Sequence, residues 1–156
     1  MSGRLLNEWL QGRASLASAS EWTAEEMRLV ADLGYALAEQ GRDREAFTIF
    51  EGLASLAPAT AYFQAALGAL SLRLGEPRRA LVHLDAALNA DPQDLSSLIN
   101  RGETYLQLGE HASAAADLEL ALRLGESGAA GDLALARARA LLLRLRTLAG
   151  GGNVVQ

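Results

Sequence analysis

Acid–base or metal chemistry in this chain would fall to two histidines, His83 and His111, and to scattered carboxylates. Histidine titrates near neutrality and ligates metals as neutral imidazole, so these two are the first candidates. Neither has a second ligand four residues on: Ala87 and Ala115 stand there. The chain has no cysteine, which excludes thiol catalysis, disulfides and cysteine-ligated zinc or iron–sulfur sites. No HExxH, GxSxG, P-loop or GxGxxG pattern occurs. Carboxylate pairs such as Glu25 and Glu26 fit the electrostatics of a helix N-terminus. Both histidines therefore read as solvated or turn-packing residues. The expectation is no enzyme, no metal site and no cofactor.

The chemistry of recognition is better supplied. Tyr35, Tyr62, Ala65, Ala66, Ala69, Leu72, Ile99 and Leu106 recur at positions that a helical repeat turns inward. Alanines make a shallow floor with room for another chain's side chains. Tyrosines bring contact area with little rotamer entropy to lose. An extended peptide with a few apolar anchors fits such a face, with affinity in the micromolar range, roughly −8 kcal/mol. About a third of these positions are expected to serve packing between repeats.

These residues are positioned by a unit of 34 residues. Gly34, Gly68 and Gly102 fall in register, as do Gly41, Gly75 and Gly109, and Ala46, Ala80 and Ala114. The most regular copy, Ala61 to Asp94, reads helix, tight turn, helix, tight turn. Gly75 stops its first helix, Pro77 starts its second and Pro92 closes it. A small residue in the first helix and an alanine in the second allow close approach of the pair. Arg101 departs from the pattern, standing where the other copies have Leu33 and Leu67. Thr23 and Glu26 form a capping box, and Asp43, Thr60, Asp91 and Asp132 are placed to cap later helices.

Alanine and leucine dominate and aromatics are few, which favours helix over sheet. A net charge of −5 argues against a nucleic-acid partner. No apolar run approaches the roughly 20 residues of a spanning helix, and no signal peptide is evident. Stable membrane insertion is not expected, and the cytoplasm is the expected compartment.

The fold class expected is all-α, a solenoid of three helical hairpins flanked by two further helices. Residues 1–20 are an N-terminal helical arm, in which Leu5, Leu6, Trp9 and Leu10 share one face that packs on the first repeat or pairs two subunits. The repeats occupy residues 24–125, divided at about 27–60, 61–94 and 95–128. Gly125 to Gly131 is a linker, residues 132–149 are a C-terminal capping helix and 150–156 are a flexible tail. The apolar stripe of the capping helix is Leu133, Ala136, Ala140 and Leu143, widened by Leu135, Leu141, Leu142, Leu145 and Leu148, with Arg137, Arg139, Arg144 and Arg146 among them.

The 34-residue pattern is that of tetratricopeptide repeats. Within that superfamily the chain resembles class II type III secretion chaperones, on Gly41, Ala46, Phe50 and Leu53 of its first repeat and on the arrangement of three repeats between flanking helices. The resemblance implies a cytoplasmic chaperone holding an extended segment of a hydrophobic translocator in its concave groove, with a possible homodimer. The alternative is a scaffold or adaptor subunit of a bacterial multiprotein complex. A carboxylate clamp for heat-shock-protein tails is excluded, since Ala31, Tyr35, Ser96 and Asn100 occupy the clamp positions.

Overall fold

The computed structural model describes residues 22–126 and 132–150, which hold seven α-helices and no strand. They are α1 (Ala24–Glu39), α2 (Asp43–Leu56), α3 (Ala61–Arg73), α4 (Pro77–Ala90), α5 (Leu95–Leu108), α6 (His111–Glu126) and α7 (Asp132–Gly150). The arm with Leu5, Leu6, Trp9 and Leu10, and the tail beyond Gly150, lie outside the described residues. Two compact units are formed, Met1–Pro58 and Ala59–Gln156.

In the first unit α1 packs on α2. Val30, Ala31, Ala46, Phe50 and Leu53 make its core. The start of α1 is the expected capping box: Glu26 N–H donates to Thr23 Oγ1 at 3.2 Å, and Thr23 N–H donates to Glu26 Oε2 at 2.9 Å. The bond from the Thr23 backbone, with that from its hydroxyl, holds the Glu26 carboxyl below its ordinary value of 4.5. A depressed carboxylate pKa contributes stability above the unfolded value, lost as pH falls through the folded one. Protection of the first-turn amides of α1, taken relative to the intrinsic exchange rate at each pH, is therefore expected to fall as pH drops below about 4.5. Glu26→Gln is expected to remove that pH dependence, and an unchanged pH profile in the variant would refute the assignment.

Gly41, Gly75 and Gly109 adopt φ of 76°, 75° and 78°, a left-handed conformation that only glycine accepts freely. Each ends a first helix with the same paired bonds. In the second hairpin, Gly75 N–H donates to Leu72 C=O at 3.1 Å and Glu76 N–H to Ser71 C=O at 2.9 Å. This double closure satisfies carbonyls left over at the helix end. The next helix follows almost at once, so α1–α2, α3–α4 and α5–α6 are tight hairpins.

Gly34, Gly68 and Gly102 have a different task. A Cβ at each would stand 2.7 Å from Phe50 Cε2, 2.5 Å from Leu84 Cγ and 2.7 Å from Leu118 Cγ respectively. These partners lie four residues after Ala46, Ala80 and Ala114, each fully buried. The recurring glycine and alanine thus let the two helices of a hairpin approach, and the large side chain fills the space beside the glycine.

In the second unit the hairpins α3–α4 and α5–α6 stack, with α3 beside α5 and α7 against both α5 and α6. Leu88, Leu98, Ile99, Leu106, Leu118, Ala121 and Ala138 form one continuous core. Arg101 is explained here. Its guanidinium donates to both Asp117 oxygens, at 2.7 and 2.9 Å, and to Asp85 Oδ1 at 2.7 Å, tying α4, α5 and α6 together. Its cation also lies 5.8 Å from the Tyr105 ring centroid.

Several local expectations are corrected. Asp43 does not cap α2 but is its first residue, and Arg42, at the cap, pairs with Glu45 instead. Thr60 stands at the cap of α3 without a side-chain capping bond. Asp91 ends α4 and accepts from Gln93 N–H, while Asp94, three residues later, caps α5 by accepting from Ser97 N–H at 2.9 Å. Two acidic residues flank Pro92, and the one nearer the helix wins because its carboxylate reaches the orphan N–H groups. Gly125 is not linker but part of α6, where it packs against Leu135.

The stripe on the last helix is also corrected. Leu135 and Ala138 are its buried residues, with Leu141, Leu142 and Leu145 half-buried beside them. Leu133, Ala136, Ala140 and Leu143, about half a turn away, are exposed. Arg137, Arg139, Arg144 and Arg146 divide α7 into two opposite apolar stripes of similar strength, so periodicity had no contrast by which to choose the face.

Candidate functional site

The inner face of the second unit is built from α3 and α5, which pack side by side. Tyr62 opens α3 with 49% of its surface exposed and its ring 5.8 Å from that of Phe63. Ala65 and Ala69 follow along the same face, half-buried. Ala66, Leu72, Ile99 and Leu106 are buried, Ile99 to 1% exposure, and the last two belong to the continuous core. Half of the eight expected positions thus support the face from beneath, more than the third anticipated. Sequence spacing places a residue on a helix face but does not say how deeply the neighbouring helix covers it.

In the first unit Tyr35 is 37% exposed and its ring meets Phe50 edge-on at 5.0 Å and 70°. Phe50 is the residue that fills the space beside Gly34, so packing orients the tyrosine while its outer surface stays open. A cavity of about 600 Å³ also lies in this unit, lined by Leu37, Ile49 and Gly52 with Glu45 and Glu51 among its walls. It opens on the side of α2 turned from Ala46, Phe50 and Leu53, and contains none of the expected groove residues.

The polar end of the inner face takes in a cation that sequence reasoning did not assign to it. Arg137 of α7 donates from Nη1 to Asn100 Oδ1 at 3.0 Å and from Nη2 to Glu103 Oε2. Asn100 and Glu103 are inward-facing positions of α5, so α7 does more than cover the end of the core. The signal was present: Arg137 lies one 34-residue period after Glu103.

The histidines form no catalytic constellation. His83 Nδ1 donates to Gln64 Oε1 at 2.9 Å, joining α3 to α4, and His111 opens α6 exposed. Among the described residues no three His, Cys, Asp or Glu side chains converge as a metal site would.

The tetratricopeptide repeat family model matches residues 95–125, which span α5 and most of α6. With the in-register glycines and the stacked hairpins, that decides the class. The fold is of the tetratricopeptide-repeat class.

This repeat protein is similar to solved type III secretion structures. PcrH of Pseudomonas aeruginosa, in complex with the chaperone binding region of PopD, is 25% identical with a TM-score of 0.75, covering 81% of this chain and 95% of that one. A type III secretion complex from Aeromonas hydrophila is 26% identical with a TM-score of 0.78, covering 93% and 97%. FlbA of Caulobacter vibrioides is 32% identical over 113 residues, which is 72% of this chain and 19% of that protein. The chain spans less than a fifth of the length of the curated relatives it matches. Its neighbours in family and fold are chaperones and repeat proteins. No helix among the described residues is long and apolar enough to cross a membrane.

Proposed function

We propose that this protein is a cytoplasmic secretion chaperone that binds an extended segment of a hydrophobic secreted protein along its inner face, without turnover. The observation that carries this is the alanine floor of Ala65 and Ala69 beside the exposed Tyr62, on a scaffold similar to one solved with a chaperone-binding peptide. An extended apolar segment left in water would aggregate, and a face with shallow space and a rigid aromatic edge shields it at little entropic cost. Tyr35 presents the same kind of edge in the first unit. Its three repeats occupy about residues 27–60, 61–94 and 95–128, and the arm with Leu5, Leu6, Trp9 and Leu10 serves a homodimer.

Tyr62→Glu tests the proposal. Tyr62 is half exposed, so the change leaves the core intact, yet it sets a charge in the path of an apolar ligand. Affinity for a peptide carrying the chaperone binding region of PopD is expected to fall by about tenfold or more. Unchanged affinity would overturn the inner-face reading. Val82 favours a second reading, a scaffold that engages partners through its second helices, because this valine is 67% exposed on α4. Loss of partner capture in Val82→Glu with capture intact in Tyr62→Glu would select the scaffold.

A further inference from the structure

The last helix keeps the register of the helices that line the inner face. Stepping by 34 residues, Ala65 and Ile99 lead to Leu133, Ala69 and Glu103 lead to Arg137, and Leu72 and Leu106 lead to Ala140. Gly68 and Gly102 likewise lead to Ala136. Helix α7 is therefore the first helix of a fourth repeat, and its expected inward positions are Leu133, Arg137 and Ala140. These lie four and three residues apart, on one side of the helix. The contacts agree with that register: Arg137 turns toward α5 and bonds Asn100 and Glu103, both on the inner face. Leu133, one turn before Arg137, is left 84% exposed, and Ala140, one turn after, is exposed as well.

We infer that α7 is a fourth segment of the peptide-binding face, in which Leu133 and Ala140 contact the bound segment and Arg137 joins their surface to that of α5. This rests on the chaperone reading above and extends it past the third repeat. A leucine this open buries little apolar surface in the fold, and beside a continuous groove it is a ready apolar anchor. Arg137 is a positioning residue. With Glu103 and Asn100 as its acceptors, its charge is matched and the Asn100 amide is turned so that its oxygen is engaged and its NH₂ remains the donor. An extended segment leaving the alanine floor brings main-chain carbonyls that need donors, and that NH₂ supplies them.

The test is fluorescence anisotropy with a labelled peptide carrying the chaperone binding region of PopD, on the full chain. Leu133→Ser removes the anchor and Ala140→Glu charges the floor, and both sites are exposed, so the thermal midpoint is expected to stay at the wild-type value. Each variant is expected to weaken binding by about tenfold, while Val82→Glu does not. In addition, the Asn100 side-chain amide resonance is expected to shift when peptide binds the wild type. Wild-type affinity in either α7 variant, with Tyr62→Glu still defective, overturns the role of α7 and leaves the chaperone reading standing. Loss of self-association in Leu133→Ser with peptide affinity unchanged makes the stripe a contact between copies and also overturns it. Absence of peptide binding by the wild type removes the chaperone reading and the inference together.

Discussion

Gly68→Leu is expected to destabilise the fold by about 3 kcal/mol, at the upper end of what overpacking costs. Two effects oppose each other at this site. Gly68 lies within a regular helix, and a residue with a side chain would gain about 1 kcal/mol there from reduced backbone entropy. Against that, even the first carbon would stand 2.5 Å from Leu84 Cγ and 3.3 Å from the Leu84 backbone nitrogen. Leu84 is fully buried beside Ala80, so its side chain cannot swing into solvent. The steric term wins because relief requires α3 and α4 to part, which opens voids along the whole hairpin. In a chain of this size the thermal midpoint is expected to drop by about 6 to 12 °C. Pairing the change with Leu84→Ala is expected to recover part of the loss, since the added volume then has somewhere to go. A Gly68→Leu protein melting with the wild type would show that the two helices are not held at this distance in solution.

Asp117→Ala is expected to cost about 2 kcal/mol, read as a shift in the denaturant midpoint at constant slope. Removing one partner of a fully buried ion pair costs about 3–5 kcal/mol, because the other charge is stranded. Two observations lower the figure here: the Arg101 side chain is 23% exposed, and Asp85 remains as a second acceptor 2.7 Å away. The register suggests the complementary experiment. Repeat one carries Leu33 and Ile49 where repeat three carries Arg101 and Asp117. Replacing both charges, as Arg101→Leu with Asp117→Ile, is expected to be near neutral or stabilising, as apolar pairs of similar volume often are in place of buried ion pairs. A double variant as unstable as Asp117→Ala would mean that the charges hold α4, α5 and α6 in an arrangement that apolar packing cannot reproduce.

The helical class was legible from the alanine- and leucine-rich composition and the 34-residue period. So were the hairpins, because a period with glycine at fixed offsets constrains the backbone locally. Gly41, Gly75 and Gly109 need the left-handed conformation and each closes its helix on its own last turn, with no information from elsewhere in the fold. Gly34, Gly68 and Gly102 were legible as a close approach because the same spacing places the partners Phe50, Leu84 and Leu118 sixteen residues on in every copy. Thr23 and Glu26 could be paired for the same reason, being three residues apart on one turn.

What only the tertiary structure decided are the matters of depth and of choice among equivalent faces. Ile99 and Leu106 share a helix face with open positions, and only the packing of α7 and α6 on α5 places them in the core. Arg101 looked like a lapse in the pattern until Asp85 and Asp117, each sixteen residues away in opposite directions, were seen to converge on it. The last helix carries two apolar stripes of similar strength, separated by Arg137 and Arg144 on one side and Arg139 and Arg146 on the other. Which one is buried was fixed by Leu135 fitting beside Gly125 and by Arg137 reaching Asn100 and Glu103. Local periodicity encodes local closure; which of two equal apolar stripes is buried is chosen by the surface the helix meets, which no period within the helix contains.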